Sequence, residues 1–380
     1  MSGSKTFFAA RVFDGQNFLD NVRFTVTDGK ITSLDCQSQL APEDTHLRGL
    51  VAPGFIDLQV NGGGGALLNS SPSVEGVQTI MAAHAKYGTT AMLPTLITDK
   101  VEVMAQAADA VANALVEGVA GIVGIHFEGP HLSVAKKGAH SEEFIRPISA
   151  EEWHILERKD IGQILVTLAP ENVLPEDVAR MVSLGIKVCL GHTNADFATA
   201  QKAVNAGADG FTHLYNAMSP LTSREPGVVG CALLNDNTSC GLIVDGHHVD
   251  YATCQIAIKA KPAGKVFLVT DAMPPVGTYD NEFAFFDRTV TLSDGKLTST
   301  TGELAGSVLD MASAVKNTHQ KVNIALDESL RMASLYPAQY AKLDNQIGAL
   351  NQGKQADFVV LDTELNVEQT WIKGQLIFSH

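Results

Sequence analysis

The sequence predicts an α/β protein, a (β/α)8, TIM-like barrel carrying a small β-sandwich domain formed by the N- and C-terminal segments. Three observations predict it. Eight short apolar runs alternate with helical stretches through the middle of the chain, whereas both ends read as strands and hairpins. The 380 residues, 45% of them hydrophobic, suffice for one large core, since an α/β barrel uses roughly 250 residues as a single domain.

At the N-terminal end, Phe7–Phe13, Val22–Thr27 and Lys30–Leu34 are short strand-like runs, and Asp28-Gly29 between the last two is a hairpin signal. At the far end, Asp357–Leu361 reads as a strand and Glu368–Ile377 as two strands about a Lys373-Gly374 turn. The predicted organisation is therefore residues 1–52 and 350–380 as the two parts of one β domain, with residues 53–349 as the barrel. The barrel runs are Gly54–Val60, Thr89–Pro94, Gly121–Phe127, Gln163–Leu168, Ile186–Leu190, Gly210–His213, Cys240–Val244 and Lys265–Val269. Among the intervening helices, Val101–Val116 places Val101, Met104, Ala108, Val111 and Leu115 on one face. A doubly wound open sheet is the alternative. It is weakened because Gly62–Gly65 precedes a loop and forms no dinucleotide fingerprint. Gly129–Pro147, Tyr215–Gly230 and Pro274–Glu303 are longer than ordinary connections, and such loops often carry function.

Twenty-seven Lys and Arg against 42 Asp and Glu leave a formal charge of −15. An acidic surface argues against nucleic acid and anionic membranes as partners, which need spread-out cations. A single small anion needs only a local cationic pocket. The five cysteines are scattered, with no Cys-x-x-Cys pair, as expected of apolar residues in a reducing compartment. Phe7–Ala10 is too short for a signal-peptide core, and no apolar stretch approaches membrane-spanning length. The expectation is a cytoplasmic protein.

Barrel enzymes carry their chemistry at the C-terminal ends of the strands. Here the runs end in polar groups: Gln59 and Asn61 after the first, Glu128 after the third, His192 after the fifth, and His213 after the sixth. Asp245, His247 and His248 follow the seventh, and Asp271 the eighth. A lone histidine there is more often a satisfied structural residue, and a lone aspartate is commonly a helix cap. Six strands ending this way are harder to dismiss, because closure brings the side chains to one mouth. Glu128, His192 and His213 supply two imidazoles and a carboxylate, a donor set that leaves an open coordination position on a catalytic metal. Zinc suits it best, with Fe2+, Mn2+ and Co2+ also compatible. His126, on the same side of its strand as Glu128, is read as packing. Asp271, with Pro274-Pro275 nearby disfavouring a capping role, is placed to act as general base and then acid. The residues alone point to metal-assisted hydrolysis.

Val51-Ala52-Pro53-Gly54-Phe55-Ile56-Asp57 and Gly353-Lys354-Gln355-Ala356-Asp357-Phe358-Val359 resemble opening and closing signatures of the amidohydrolase superfamily. Further motifs fall in order between them: Gly124–Pro130, Lys137–His140, Gly191–Thr193, Thr212–Met218, Asp245–Val249 and Val269–Ala272. Over nearly its full length the chain resembles the N-acetylglucosamine-6-phosphate deacetylase family within it. That resemblance implies deacetylation of N-acetylglucosamine 6-phosphate to glucosamine 6-phosphate and acetate, in amino-sugar catabolism. It implies a single metal on Glu128, His192 and His213, with Asp271 as base and acid and His140 supporting the oxyanion. It also implies substrate contacts from Ala139, His140, Asn216, Ala217, Arg224, Asp245, His248 and the Leu304-Ala305-Gly306 segment. A homodimer is implied, with phosphate contacts shared across its interface. One departure stands out: many amidohydrolases carry His-x-His after the first strand for a second metal, and this chain has Gln59-Val60-Asn61. Neutral amides are poor ligands beside imidazole, so one metal is expected.

Overall fold

A computed structural model of the chain describes residues 3–286, 288–300 and 302–380. Eight parallel strands form the central sheet, hydrogen-bonded in chain order from Phe55–Val60 through Thr89–Ile97, Gly124–Glu128, Gln163–Leu168, Lys187–Leu190, Gly210–Phe211 and Ser239–Leu242 to Val266–Leu268. These are the eight predicted runs, shifted by one to three residues at most ends. Their residues are buried on both faces because helices pack outside and side chains fill the inside. The barrel closes between its first and last strands just beyond their regular ends. Val60 bridges Ala272, the Asp271 N–H donates to the Gln59 carbonyl at 2.9 Å, and the Asn61 N–H donates to the Ala272 carbonyl at 3.0 Å. The helix predicted at Val101–Val116 spans Val101–Glu117 and ends on Gly118 at φ +72°, the left-handed geometry that glycine adopts without cost.

The two chain ends form one continuous seven-stranded mixed sheet, which refines the expected sandwich. Thr45–Pro53 lies at its middle, parallel to Lys5–Phe13 and antiparallel to Phe358–Leu361. The sheet curls so that the Lys30–Asp35 edge meets the segment before Phe358, where the Ile31 N–H donates to the Lys354 carbonyl at 2.9 Å. Inside the curl Phe7, Phe24, Phe358 and Trp371 pack ring against ring, centroids 5.1–5.5 Å apart.

The long stretch after the eighth strand is not irregular. Glu282–Phe285, Arg288–Ser293 and Lys296–Ser299 form a three-stranded antiparallel sheet. Its Phe285, Val290 and Leu297 pack on Ile97, Met273 and Ala305, which seats it over the mouth of the barrel. Gly62–Gly65 is a pinned turn: Gly62, Gly64 and Gly65 donate to the Ala272, Val276 and Pro274 carbonyls at 2.7–2.9 Å. Among the described residues no helix is long and apolar enough to cross a membrane.

Candidate active site

Three strand ends deliver the donor cluster. Glu128 is the last residue of the third strand, His192 follows the fifth by two residues, and His213 follows the sixth by two. Both histidines sit at positive φ, +46° and +32°. That turns their rings inward where an extended continuation would carry them out along the barrel wall. Their Nε2 atoms lie 3.0 Å apart, and each approaches Glu128 Oε1, at 3.3 Å for His192 and 3.1 Å for His213. Three donors about 2.0–2.2 Å from one tetrahedral ion stand roughly 3.3–3.5 Å from each other, so this set fits a single metal with little movement. His192 Nδ1 is engaged by the Lys136 carbonyl at 2.9 Å. The carbonyl can only accept, so Nδ1 carries the proton and Nε2 presents its lone pair. All three residues are buried. Burial alone pushes the Glu128 carboxyl up, but its contacts with His192 and His213 outweigh that and hold it well below the usual carboxylate range.

His140 also comes near, and Glu128, His140 and His192 can bring ligand atoms within 4.8 Å of one another. The shorter distances favour His213 as the third donor. His140 Nε2 is 4.0 Å from Glu128 Oε2, and its Nδ1 is bound to Thr98 Oγ1 at 2.9 Å. Burial first, and the neighbouring His192 second, hold His140 well below its ordinary pKa, so the ring is neutral. When Thr98 turns its hydroxyl hydrogen to Nδ1, Nε2 carries the ring proton toward the cavity. When Thr98 instead donates to the Glu128 carbonyl, 3.0 Å away, Nε2 becomes an acceptor.

Opposite the donors lies the closing seam. Asp271 follows the eighth strand at φ +55°. Its Oδ1 accepts from Asn61 Nδ2 at 2.6 Å and from Gln59 Nε2 at 3.2 Å. The same Gln59 nitrogen donates to Glu128 Oε1 at 3.0 Å, so one amide spans the metal-donor carboxylate and Asp271. Gln59 and Asn61, at the end of the first strand, thus both hold carboxylates through their amide nitrogens. Burial raises the Asp271 carboxyl above its ordinary pKa, and the Glu128 charge raises it further. Beneath it Asp57, fully buried, accepts from Thr270 Oγ1 at 2.5 Å and ties the first strand to the eighth. His126 is turned into the barrel, with Nε2 2.7 Å from Thr167 Oγ1 and Nδ1 3.1 Å from the Leu58 carbonyl, a packing position.

A cavity of about 320 Å³ opens onto both groups. Glu128, His192, His213, Asp271, Asn61 and His140 line it, as do Ala139, Asn216, Ala217, His248, Leu304, Ala305 and Gly306. Asp245 stands behind: its Oδ2 holds His248 Nδ1 at 2.6 Å and its Oδ1 accepts from the His247 and His248 N–H groups. Ala217, at φ +50°, turns the loop after the sixth strand back along the cavity wall. Arg224 is not brought in; it is exposed on the loop before the Gly227–Leu234 helix, outside the cavity lined by this one chain. His247 is exposed, and Gln59 lies below the lining. Sequence reading missed Lys136, which lines the cavity and fixes His192, and Phe285, which reaches it from the three-stranded sheet. It also missed Thr98 and Asp57. Lys136 adjoins a motif singled out above, and Thr98 stands just past the end of the second strand, so both were within reach; an aspartate within a strand, such as Asp57, carries no signal before its partner is known.

A model of the amidohydrolase family matches residues 50–377. An N-acetylgalactosamine-6-phosphate deacetylase of Shewanella sp. (strain ANA-3) is 48% identical over 374 residues, 97% of this chain and 95% of that one. The structure resembles that of N-acetylglucosamine-6-phosphate deacetylase from Pasteurella multocida with a TM-score of 0.95 and 36% identity, covering 100% of both chains. It resembles a mutant N-acetyl-D-glucosamine-6-phosphate deacetylase from Mycobacterium smegmatis, in complex with N-acetyl-D-glucosamine-6-phosphate, with a TM-score of 0.93 and 27% identity, covering 99% and 100%.

Proposed function

The chain belongs to the amidohydrolase family, and on that premise we propose that it hydrolyses the acetamide of N-acetylglucosamine 6-phosphate, releasing acetate and glucosamine 6-phosphate in amino-sugar catabolism. The observation that carries this reading is the meeting, around one cavity, of the Glu128, His192 and His213 donors with the buried Asp271 carboxylate. A divalent metal held by those three, most readily Zn2+ with Fe2+, Mn2+ or Co2+ as alternatives, supplies the Lewis acidity that polarises the carbonyl and makes water more acidic.

The chain's own groups do the rest. Asp271 takes a proton from the attacking water as the new C–O bond forms. It returns that proton to the nitrogen as the C–N bond breaks, a role suited to a carboxyl whose pKa is raised by burial. His140 donates Nε2–H to the developing oxyanion in the tautomer in which Thr98 donates to Nδ1. His248, oriented by Asp245, and the Asn216–Ala217 loop take sugar and phosphate, with Ala139 and the Leu304–Gly306 segment closing on the ring. Arg224 completes the phosphate site from the partner subunit of a homodimer, which explains its position outside the single-chain cavity. The setting is cytoplasmic, with no nucleic acid or membrane partner.

The 48% identity to a galactosamine-type relative favours a second reading, in which the same amide is cleaved in the C4 epimer. Acetate release measured on gluco and galacto substrates, each with and without the 6-phosphate, and with metal content determined on the same sample, separates the two. Activity on neither phosphorylated sugar sinks the proposal. Arg224→Ala is expected to raise KM for the phosphorylated sugar at least tenfold with kcat little changed; an unchanged KM removes Arg224 from the phosphate site.

A further inference from the structure

Asn61 carries an unspent hydrogen-bonding group at the reaction centre. The residue is 1% exposed, lines the cavity, and donates Nδ2–H to Asp271 Oδ1 at 2.6 Å. That contact identifies the two ends of its amide, because a carboxylate oxygen only accepts. Oδ1 is therefore the other end, and it is buried without any hydrogen-bond partner. Gln59 Nε2 serves Glu128 and Asp271, and the Asp57 carboxylate accepts from Thr270. A buried acceptor that lines the cavity, beside the Asp271 carboxylate, and has no partner within the chain calls for one, and a bound ligand can supply it.

The ligand must bring a donor to a point beside Asp271. Of the atoms in an N-acetylhexosamine, the nitrogen of the scissile amide is the one that Asp271 must reach in order to protonate it, and that nitrogen bears one N–H. Resting on the function proposed above, we propose that Asn61 is a catalytic residue whose Oδ1 accepts the N–H of the scissile amide. The consequence is stereoelectronic. As the carbonyl carbon becomes tetrahedral, nitrogen gains a lone pair; holding its hydrogen on Asn61 turns that lone pair toward the Asp271 carboxyl. The proton moves from Asp271 to nitrogen, the C–N bonding electrons stay on nitrogen, and the amine departs with its original hydrogen still on Asn61. Because Asn61 is also bonded to Asp271, one amide aligns both the donor and the recipient of the proton.

An oxygen ester lacks the N–H, so it tests this directly. The substrates are N-acetylglucosamine 6-phosphate and glucose 6-phosphate acetylated at O2, compared by kcat/KM in the wild type and in Asn61→Ala. Loss of the Nδ2 contact to Asp271 slows both substrates. Loss of Oδ1 slows the amide alone, so the amide-to-ester ratio is expected to fall by about tenfold. An unchanged ratio overturns the inference while leaving the deacetylase reading standing. A wild type that releases no acetate from the phosphorylated amide overturns the deacetylase reading itself, and this inference with it. Should the alanine variant fail to fold, Asn61→Ser is judged by the same ratio.

Discussion

The mouth of the barrel and the curled terminal sheet are built by opposite rules. At the mouth, His192, His213, Tyr215, Ala217 and Asp271 sit at positive φ in the segments that follow the strands. In the terminal sheet the same geometry appears at the hairpin turns of Asp28 and Lys373, in the connection at Leu365, and within a strand at Asn21. Each such non-glycine residue costs on the order of 1 kcal/mol or more. The mouth also buries carboxylates and imidazoles against one another, while the sheet buries stacked aromatics. The difference teaches where stability and function reside. Strand ends can hold strained, charged groups because the apolar barrel beneath them over-determines their positions; the terminal sheet carries little besides packing.

Substitutions in the two regions should therefore separate activity from stability. Asp271→Asn keeps the shape and both amide neighbours but removes the proton carrier. kcat is expected to fall by 10³ to 10⁴ or more, with circular dichroism and bound metal unchanged; a fall of less than tenfold removes Asp271 from the proton transfer. Phe358→Ala in the aromatic curl should do the reverse. It is expected to cost about 3–5 kcal/mol of unfolding free energy in a denaturant titration, while the folded fraction keeps its kcat.

The smallest effect is a pH dependence. Burial raises Asp357, at the junction of sheet and barrel, to about 6 from 3.8. A raised carboxyl favours the folded state in its protonated form, so its contribution is fully present below pH 3.8 and is lost as pH rises through about 6. Asp357→Asn retains an acceptor for the Lys373 N–H, now 2.7 Å from the carboxylate. The variant should gain up to about 3 kcal/mol relative to the wild type between pH 4 and 7, read from unfolding curves at both values. A difference that stays constant with pH means that the carboxyl is not buried as described.

Elements governed by local pattern were legible. The eight barrel runs, the Asp28-Gly29 and Lys373-Gly374 hairpins and the Val101 helix follow from period and turn chemistry, which a few neighbouring residues determine. Thr45–Pro53 escaped notice because its first half alternates poorly, and it becomes a strand only between two partners, one of them about 300 residues away. The three-stranded sheet after Pro275 read as a loop for the same reason, since its inward residues become a buried face only once they pack on Ile97 and Met273.

By itself the sequence determined which chemistry the protein could house: a histidine, carboxylate and amide set placed at successive strand ends, where barrel closure must bring them to one face. Only the tertiary structure decided how those groups share protons. Gln59 between Glu128 and Asp271, Thr98 on His140, and the open oxygen of Asn61 depend on how the strand ends and loops meet at the barrel mouth, the seam joining the first strand to the eighth among them. Residues some 210 positions apart along the chain meet there. No periodicity reports such a contact, because closure and packing of the whole barrel set it.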